Sequence, residues 1–450
     1  MIDYTLPLDR LPDPLPIEPL TRPFDVTITP PGSKSITCRA YILAALAEGE
    51  SQIIRPLRAD DTDTLLKALC TLGAEARWEG DNVHINGVGG RFPRGGRVNL
   101  GDGGAPTRFM IAAACLAAEP VIVDASPRMR LRPIAEGIDM LRQLGAKIEY
   151  VDDDGRLPVR VVPSETFVGG EIDYRATVSS QFVSAVLLIA TFLERGATFI
   201  LHDEITSSRY VSLTESVVSQ WGVVVTDQCY AESDGKRVSE PRSPELKIGP
   251  SDLRAREYAI EPDASSAAYW MVAVVILPHA KLYLPGMCRS SLQPDIEIVG
   301  VLDDLGVDVH EIESGFGIRA PQRLRRAIDV DAASMPDASI ALAVVAYKSD
   351  KASRLTGLDT LRVKETDRIA ALANELRRIG CTIETTDDSI AIDPSTRHDK
   401  PVVIETYNDH RMAMAFAVLG LARPGISIKN PACVSKSYPT FWKDFAKLYQ

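Results

Sequence analysis

Apolar and polar positions along this chain recur in one phrase. A helical run of apolar residues closes on a glycine. Alternating, strand-like residues follow, then a polar turn and a second alternating run. The phrase reads LLKALCTLGAEARWEGDNVHING, IDMLRQLGAKIEYVDDDGRLPVRV, LTESVVSQWGVVVTDQ, IVGVLDDLGVDVHEIESGFGIR and LANELRRIGCTIETTDDSIAID in turn. Glycine suits the left-handed residue that ends a helix, so Gly73, Gly145, Gly222, Gly306 and Gly380 are predicted helix C-termini. Their spacings of 72, 77, 84 and 74 residues make a period of about 75 that fits six times into 450 residues. The terminal FWKDFAKLYQ is the helix of a sixth copy, at which the chain stops. Helices alternating with period-two strands indicate an α/β (α+β) chain. Six such copies exceed one core, so two domains of three copies each are expected.

Composition narrows the function. The chain is 45% hydrophobic and 25% charged, with a net charge of −11. That balance argues against broad binding to nucleic acid or to an anionic membrane, but a local cation cluster can still face a small anion. The seven cysteines at 38, 70, 115, 229, 288, 381 and 433 form no C-x-x-C pair and read as reduced thiols, not a zinc site. The longest apolar runs, such as FVSAVLLIATFL at 182–193, are shorter than a membrane span. The first 31 residues are Pro-rich, carry Asp3, Asp9, Asp13 and Glu18, and match neither a signal nor a transit peptide. A cytoplasmic protein is expected, with residues 1–20 as an irregular N-terminal extension.

Against the acidic background, several segments place cations where an element starts or ends. PPGSKSITCRA puts Lys34 and Ser35 at the mouth of an apolar helix, where free N–H groups and the helix dipole favour an anion. It is not a P-loop, because Ser33 precedes Lys34 and no glycine-rich loop leads in; a plain cap explains Ser35 equally well. PRMRLRP (127–133) holds three arginines between prolines, suited to planar recognition of phosphate or carboxylate. TVSSQF offers Ser179, Ser180 and Gln181 before a very apolar helix. LRVKETDRIAAL sets Lys364 and Arg368 four apart with Glu365 beside them, and TYNDHRMAM places Asp409, His410 and Arg411 before a helix with no other charge. CVSKSYP adds Lys436. Asp337 in SMPDASIAL and Asp263 in EPDASSAAY each precede an apolar helix; either reads as an N-cap, and Asp337 also as a base among cations.

PGSKS with the following arginine, PRMRLRP, SSQF, PDAS, RVKETDRI, YNDHRMAM and the late lysine together resemble the 5-enolpyruvylshikimate-3-phosphate synthases, from about residue 25 to the C-terminus. The resemblance implies a two-domain inverse α/β barrel of six βαβαββ repeats, three per domain. It implies a discontinuous domain of residues 21–32 plus 262–450, a second of 33–261, and an active site in the cleft between them. It also implies transfer of the enolpyruvyl group of phosphoenolpyruvate to the 5-hydroxyl of shikimate 3-phosphate, with release of phosphate, and no metal or organic cofactor. A monomer is expected, with these two small molecules as its only partners.

By motif, the resemblance places Lys34, Ser35 and Arg39 at the shikimate phosphate and carboxylate, with Lys34 reaching phosphoenolpyruvate as well. Ser179, Ser180 and Ser207 hold the 3-phosphate with Tyr210, and Gln181 bridges both substrates. Thr360 belongs to the shikimate side. Arg128, Arg368, Arg411 and Lys436 clamp phosphoenolpyruvate with the backbone of Gly104. Asp337 takes the proton of the 5-hydroxyl, Glu365 protonates the methylene carbon, and Lys364 orients the hydroxyl. His410 and Asp409 support. Facing cations without a ligand repel one another, so closure on shikimate 3-phosphate is expected.

The chain departs from the family pattern in LGDGGAPTRFM. Asp102 stands where Asn is usual, Ala105 where Thr is, and Phe109 where Pro is frequent; Cys38 and Thr360 also occupy common Asn positions. An added carboxylate there weakens the expected hold on phosphoenolpyruvate and on its mimic glyphosate. The sister UDP-N-acetylglucosamine enolpyruvyl transferases use a loop cysteine, and DASPRMRLRPIAEG has none. A non-catalytic anion binder has no evident use for both an acid and a base.

Overall fold

The computed structural model describes residues 2–175, 177–227, 231–233, 236–238, 245–312, 314–320 and 327–450. Contacts divide the chain into two units, Met1–Pro31 with Glu261–Gln450, and Gly32–Ile260.

The repeat is visible as one strand order used again and again. In the copy beginning at Gly96–Asn99, that strand pairs parallel with Val121–Asp124, which pairs antiparallel with Val159–Val162, which pairs antiparallel with Lys147–Tyr150. A helix, Gly104–Ala114, joins the parallel pair, and a second, Ala135–Gln143, leads to the antiparallel strands. The same β-α-β-α-β-β order and pairing hold for the copy centred on Ser353–Thr356, and for that centred on Ala197–Leu201 with a separate pair, Ala231–Ser233 and Lys236–Val238, set between its last two strands. Two copies take their first strand from far along the chain. Asp25–Thr27 pairs with Lys281–Pro285 in one unit, and Glu257–Ala259 pairs with Glu48–Ile54 in the other. The five repeat glycines all have positive φ. At Gly145 a Cβ would also lie 1.8 Å from the Thr166 carbonyl oxygen, so conformation and space both demand glycine.

The sixth copy is incomplete within its own stretch of chain. Val402–Ile404 pairs parallel with Ile426–Ile428, and the helix Phe441–Ala446 follows, but no later strand does. The vacant antiparallel place is taken by Leu15–Pro16, with Leu15 opposite Ile428 and Pro16 opposite Ser427. Residues 2–20 hold a short 3-10 turn at Leu8–Arg10 and this two-residue strand, and are packed down, with Tyr4, Leu11, Leu15 and Ile17 buried.

In each unit, the first helices of the three copies pack on one another: Lys34–Leu46, Gly104–Ala114 and Gln181–Ala190 in one, and Ala264–Ile276, Ser339–Lys348 and His410–Gly420 in the other. These helices are buried nearly all round; Gln181–Ala190 is buried at every position after its first. A charge along such a helix would lose its water without compensation. Charged residues are accordingly confined to the first two turns, with Lys348 at a C-terminal end as the exception. This is the physical reason that GSKS, SSQF and NDHR, three of the polar segments singled out in the sequence, stand at the starts of these helices. Among the described residues no helix is long and apolar enough to cross a membrane, and six cysteines are free thiols. Cys229 lies outside the described residues.

Candidate active site

In the unit containing the C-terminus, Arg368 is the hub. It follows Asp367, which caps the helix Arg368–Arg378 by accepting the Ala370 N–H, and it is almost fully buried. Its Nε and Nη2 donate to the two oxygens of Asp409 at 2.7 and 3.2 Å, its Nη1 to Asp337 at 2.8 Å, and Nη2 also to Glu365 at 2.9 Å. Arg411 Nη2 donates to the other oxygen of Asp337 at 2.7 Å, and Lys436 Nζ lies 2.8 Å from the other oxygen of Glu365. Asp409 caps its helix as well, accepting the Arg411 N–H. The chain enters that helix through two left-handed residues, Tyr407 and Asn408, which turn Asp409 inward. His410 is fully buried, its Nδ1 3.7 Å from Asp409.

The two acids left open by the sequence now separate. Asp263 is a cap, accepting the Ser266 N–H at 2.7 Å. Asp337 makes no cap; it is shared between Arg368 and Arg411. Burial alone pushes its carboxyl up, but Arg411, Lys364 and Arg368 overcome that and hold it well below the usual carboxylate range. Thr360 lies in the short turn before Lys364, and its hydroxyl is buried without a hydrogen-bond partner among the described residues.

In the other unit, Lys34 opens its helix behind the Ser33 cap, and its Nζ lies 3.2 Å from Asp61. Gln181 opens another, its Oε1 accepting from Arg108 Nη1 at 2.6 Å. Ser180 stands at that helix's cap position without a side-chain cap bond, while the Ser179 hydroxyl accepts the Gln181 N–H. Ser207 is a non-glycine residue at positive φ, and its neighbour Thr206 donates to the Thr177 carbonyl, tying TSSRY to TVSSQ. Arg39 points into the core. It donates to Thr214, Ser184 and the carbonyls of Ser35 and Tyr210, so here it braces the Ser35 turn against the Tyr210 helix.

The three arginines of PRMRLRP part company. Arg130 makes a two-pronged pair with Asp124, at 2.9 and 2.7 Å. Arg132 is buried against Gly104, where an added Cβ would come 2.7 Å from its Nη1. Arg128 stays exposed on the short helix Pro127–Arg130. That helix is capped by Ser126, whose hydroxyl donates a very short bond to Asp102.

Three residues near these helix starts were not singled out in the sequence: Asp61, Arg108 and Asp295. Asp61 and Arg108 sit in DDTD and APTRFM, where a helix-cap acid and an ordinary helical arginine are the plain readings. Asp295 lies in QPDIE with no cation nearby in sequence. It is fully buried, accepts the Ser265 hydroxyl and, at 3.0 Å, the Ala338 N–H, so it joins the starts of two central helices beside Asp337. Burial, then the Asp337 charge, pushes its carboxyl up to about 6, against the pull of Arg411.

Known proteins share this architecture and sequence. The model of the family described as EPSP synthase (3-phosphoshikimate 1-carboxyvinyltransferase) matches residues 21–445. A 3-phosphoshikimate 1-carboxyvinyltransferase of Cellvibrio japonicus is 36% identical over 421 residues, 93% of this chain and 95% of that protein. One from Methanosphaerula palustris is 37% identical over 428 residues, 94% of this chain and 97% of that protein. Among solved structures, an EPSP synthase from Acinetobacter baumannii superposes with a TM-score of 0.77 at 24% identity, covering 96% of this chain and 97% of that one. An enolpyruvyl transferase from Streptomyces tendae gives 0.70 at 17% identity, with 96% of each chain covered. These last two likenesses speak for the fold, and the first three for descent: the chain belongs to the EPSP synthase family.

Proposed function

We propose that this protein transfers the enolpyruvyl group of phosphoenolpyruvate to the 5-hydroxyl of shikimate 3-phosphate and releases phosphate. The observation that carries the reading is the Arg368 network. It holds two carboxylates, Asp337 and Glu365, in reach of three cations, Arg368, Arg411 and Lys436. Each carboxylate is engaged on both oxygens by those cations. An incoming phosphate or carboxylate exchanges for these internal partners, so substrate binding and the release of the acid and base are one event. Asp337, relieved of its arginines, regains the basicity they suppress and takes the hydroxyl proton. Glu365, relieved of Arg368 and Lys436, carries a proton to C3 of the enol. The oxygen–C2 bond forms, and loss of a methyl proton with cleavage of the C2–phosphate bond restores the double bond.

The other unit supports the shikimate side. Lys34, Ser35, Ser179, Ser180, Gln181 and Ser207 present hydroxyl, amide and ammonium groups at helix starts, with Tyr210 beside them, and Arg39 fixes the turn that carries Ser35.

The test is phosphate release from phosphoenolpyruvate with and without shikimate 3-phosphate. Release is expected only with both, and Lys34→Ala is expected to lower kcat/KM by about 100-fold. Release without shikimate 3-phosphate, or full activity in the variant, would overturn the reading.

Asp102 bears on affinity. It accepts from Ser126 at the start of the short helix that carries Arg128, and so sets a negative charge beside a cation meant for the substrate. Asp102→Asn keeps an acceptor for Ser126 and removes the charge. The KM for phosphoenolpyruvate is expected to fall about twofold to fivefold, the scale of a partly exposed charge pair. An unchanged or higher KM counts against this role.

A further inference from the structure

Residues before 21 lie outside the family match, yet they complete the repeat that carries Arg411 and Lys436. Resting on the reading that those two cations hold phosphoenolpyruvate, we propose that residues 2–20 are a positioning strap for them, with Asp13 as the residue that places the Lys436 turn.

The strap grips both elements from behind. Leu15–Pro16 supplies the missing antiparallel strand, and the Ile17 N–H donates to the Ile426 carbonyl at 2.9 Å. The Leu20 N–H donates to the Leu421 carbonyl at 2.8 Å, just past the helix that Arg411 opens. The Ile17 side chain lies on the last residue of that helix, Gly420, where a Cβ would come 2.6 Å from its Cγ2. The helix bearing Arg411 is thus seated at its far end by the strap.

Lys436 ends the short turn Pro431–Lys436, and the strap holds the start of that turn. Asp13 Oδ1 accepts the N–H of Asn430 at 2.8 Å; Asn430 is left-handed and precedes the turn. The Pro431 carbonyl accepts from Trp442 Nε1 at 2.9 Å, and Tyr4 stacks on the Trp442 ring with centroids 6.2 Å apart. Tyr4 also packs on Phe445 and Tyr449 at 5.2 and 5.4 Å. Its hydroxyl closes the strap on itself, donating to Pro16 and accepting from Glu18. An aromatic cluster therefore anchors the strap, while Asp13 bonds the backbone entering the Lys436 turn. Asp13 is exposed, so replacing it leaves the core intact.

The experiment compares Asp13→Ala, Asp13→Asn and Lys436→Ala with the parent protein, reading kcat, the KM of each substrate and the thermal midpoint. Asp13→Ala is expected to raise the KM for phosphoenolpyruvate about fivefold, as a slightly misplaced cation does. The KM for shikimate 3-phosphate and the midpoint should hold. Asp13→Asn, whose amide oxygen still accepts from Asn430, should restore the parent value. The strap is overturned if Asp13→Ala moves only the midpoint, shifts both KM values alike, or is matched by Asp13→Asn. If Lys436→Ala raises the KM for phosphoenolpyruvate and Asp13→Ala does not, the strap alone fails. If Lys436→Ala leaves that KM unchanged, the assignment of Lys436 fails and takes the strap with it.

Discussion

Asp337→Asn is expected to reduce turnover by about 10³-fold while shikimate 3-phosphate still binds. Asparagine is nearly isosteric and its one oxygen still accepts from one of the two arginines, while Arg368 keeps Asp409 and Glu365 as partners, so the fold is preserved. What it cannot do is take a proton. Steady-state phosphate release together with equilibrium binding of shikimate 3-phosphate separates the two effects. A variant that turns over within tenfold of the parent would remove Asp337 from the role of base and shift attention to Glu365.

The second large effect concerns stability. Arg368→Ala removes the one cation that Asp337, Glu365 and Asp409 share and leaves three carboxylates facing one another. Removing one partner of a buried ion pair costs about 3–5 kcal/mol. That corresponds to a fall of about 10 °C in the melting midpoint of the unit that contains it. Arg368→Lys should recover little, because one ammonium cannot serve three carboxylates in plane. The deficit should also depend on pH. Asp337 has a folded pKa depressed below its unfolded value, so its contribution is present above about pH 4 and is lost as pH falls further. Asp295 has the opposite sign: raised to about 6, its contribution is full below about pH 4 and is lost as pH rises through 6. The gap between parent and variant is therefore expected to be widest at neutral pH and to narrow in acid. Thermal unfolding at pH 7 and at about pH 2 measures it, and an equal gap at both would contradict the charge argument.

Much of this molecule was legible in its sequence because the repeat is local. A glycine at a left-handed C-terminus, a period-two strand and a buried helix each leave a mark within about twenty residues, and five copies made the period plain. The site was legible for a related reason. Helices buried all round tolerate charge only near their starts, so Lys34, Gln181, Asp337, Asp409 and Arg411 stood out against apolar runs.

Other features depended on contacts between distant residues. Nothing in SMPDAS and EPDASS distinguishes an acid held among cations from a cap; the difference is that Arg368 and Arg411 converge on Asp337, whereas Asp263 accepts the Ser266 N–H. Asp61, Arg108 and Asp295 have plain local readings and gain their meaning from partners 27 to 73 positions away, such as Lys34 for Asp61 and Gln181 for Arg108. The N-terminal segment is the extreme case. Its two-residue strand has too few residues to show a period, and its partner, Ile426–Ile428, lies at the other end of the chain. Sequence alone determined the repeat and the helix starts, which rest on short-range periodicity and backbone conformation, and the family, which rests on the short motifs it resembles. Tertiary structure alone decided which acid faces which cation and what completes the sixth repeat, since Coulomb and hydrogen-bond partners are chosen by distance in space and not along the chain.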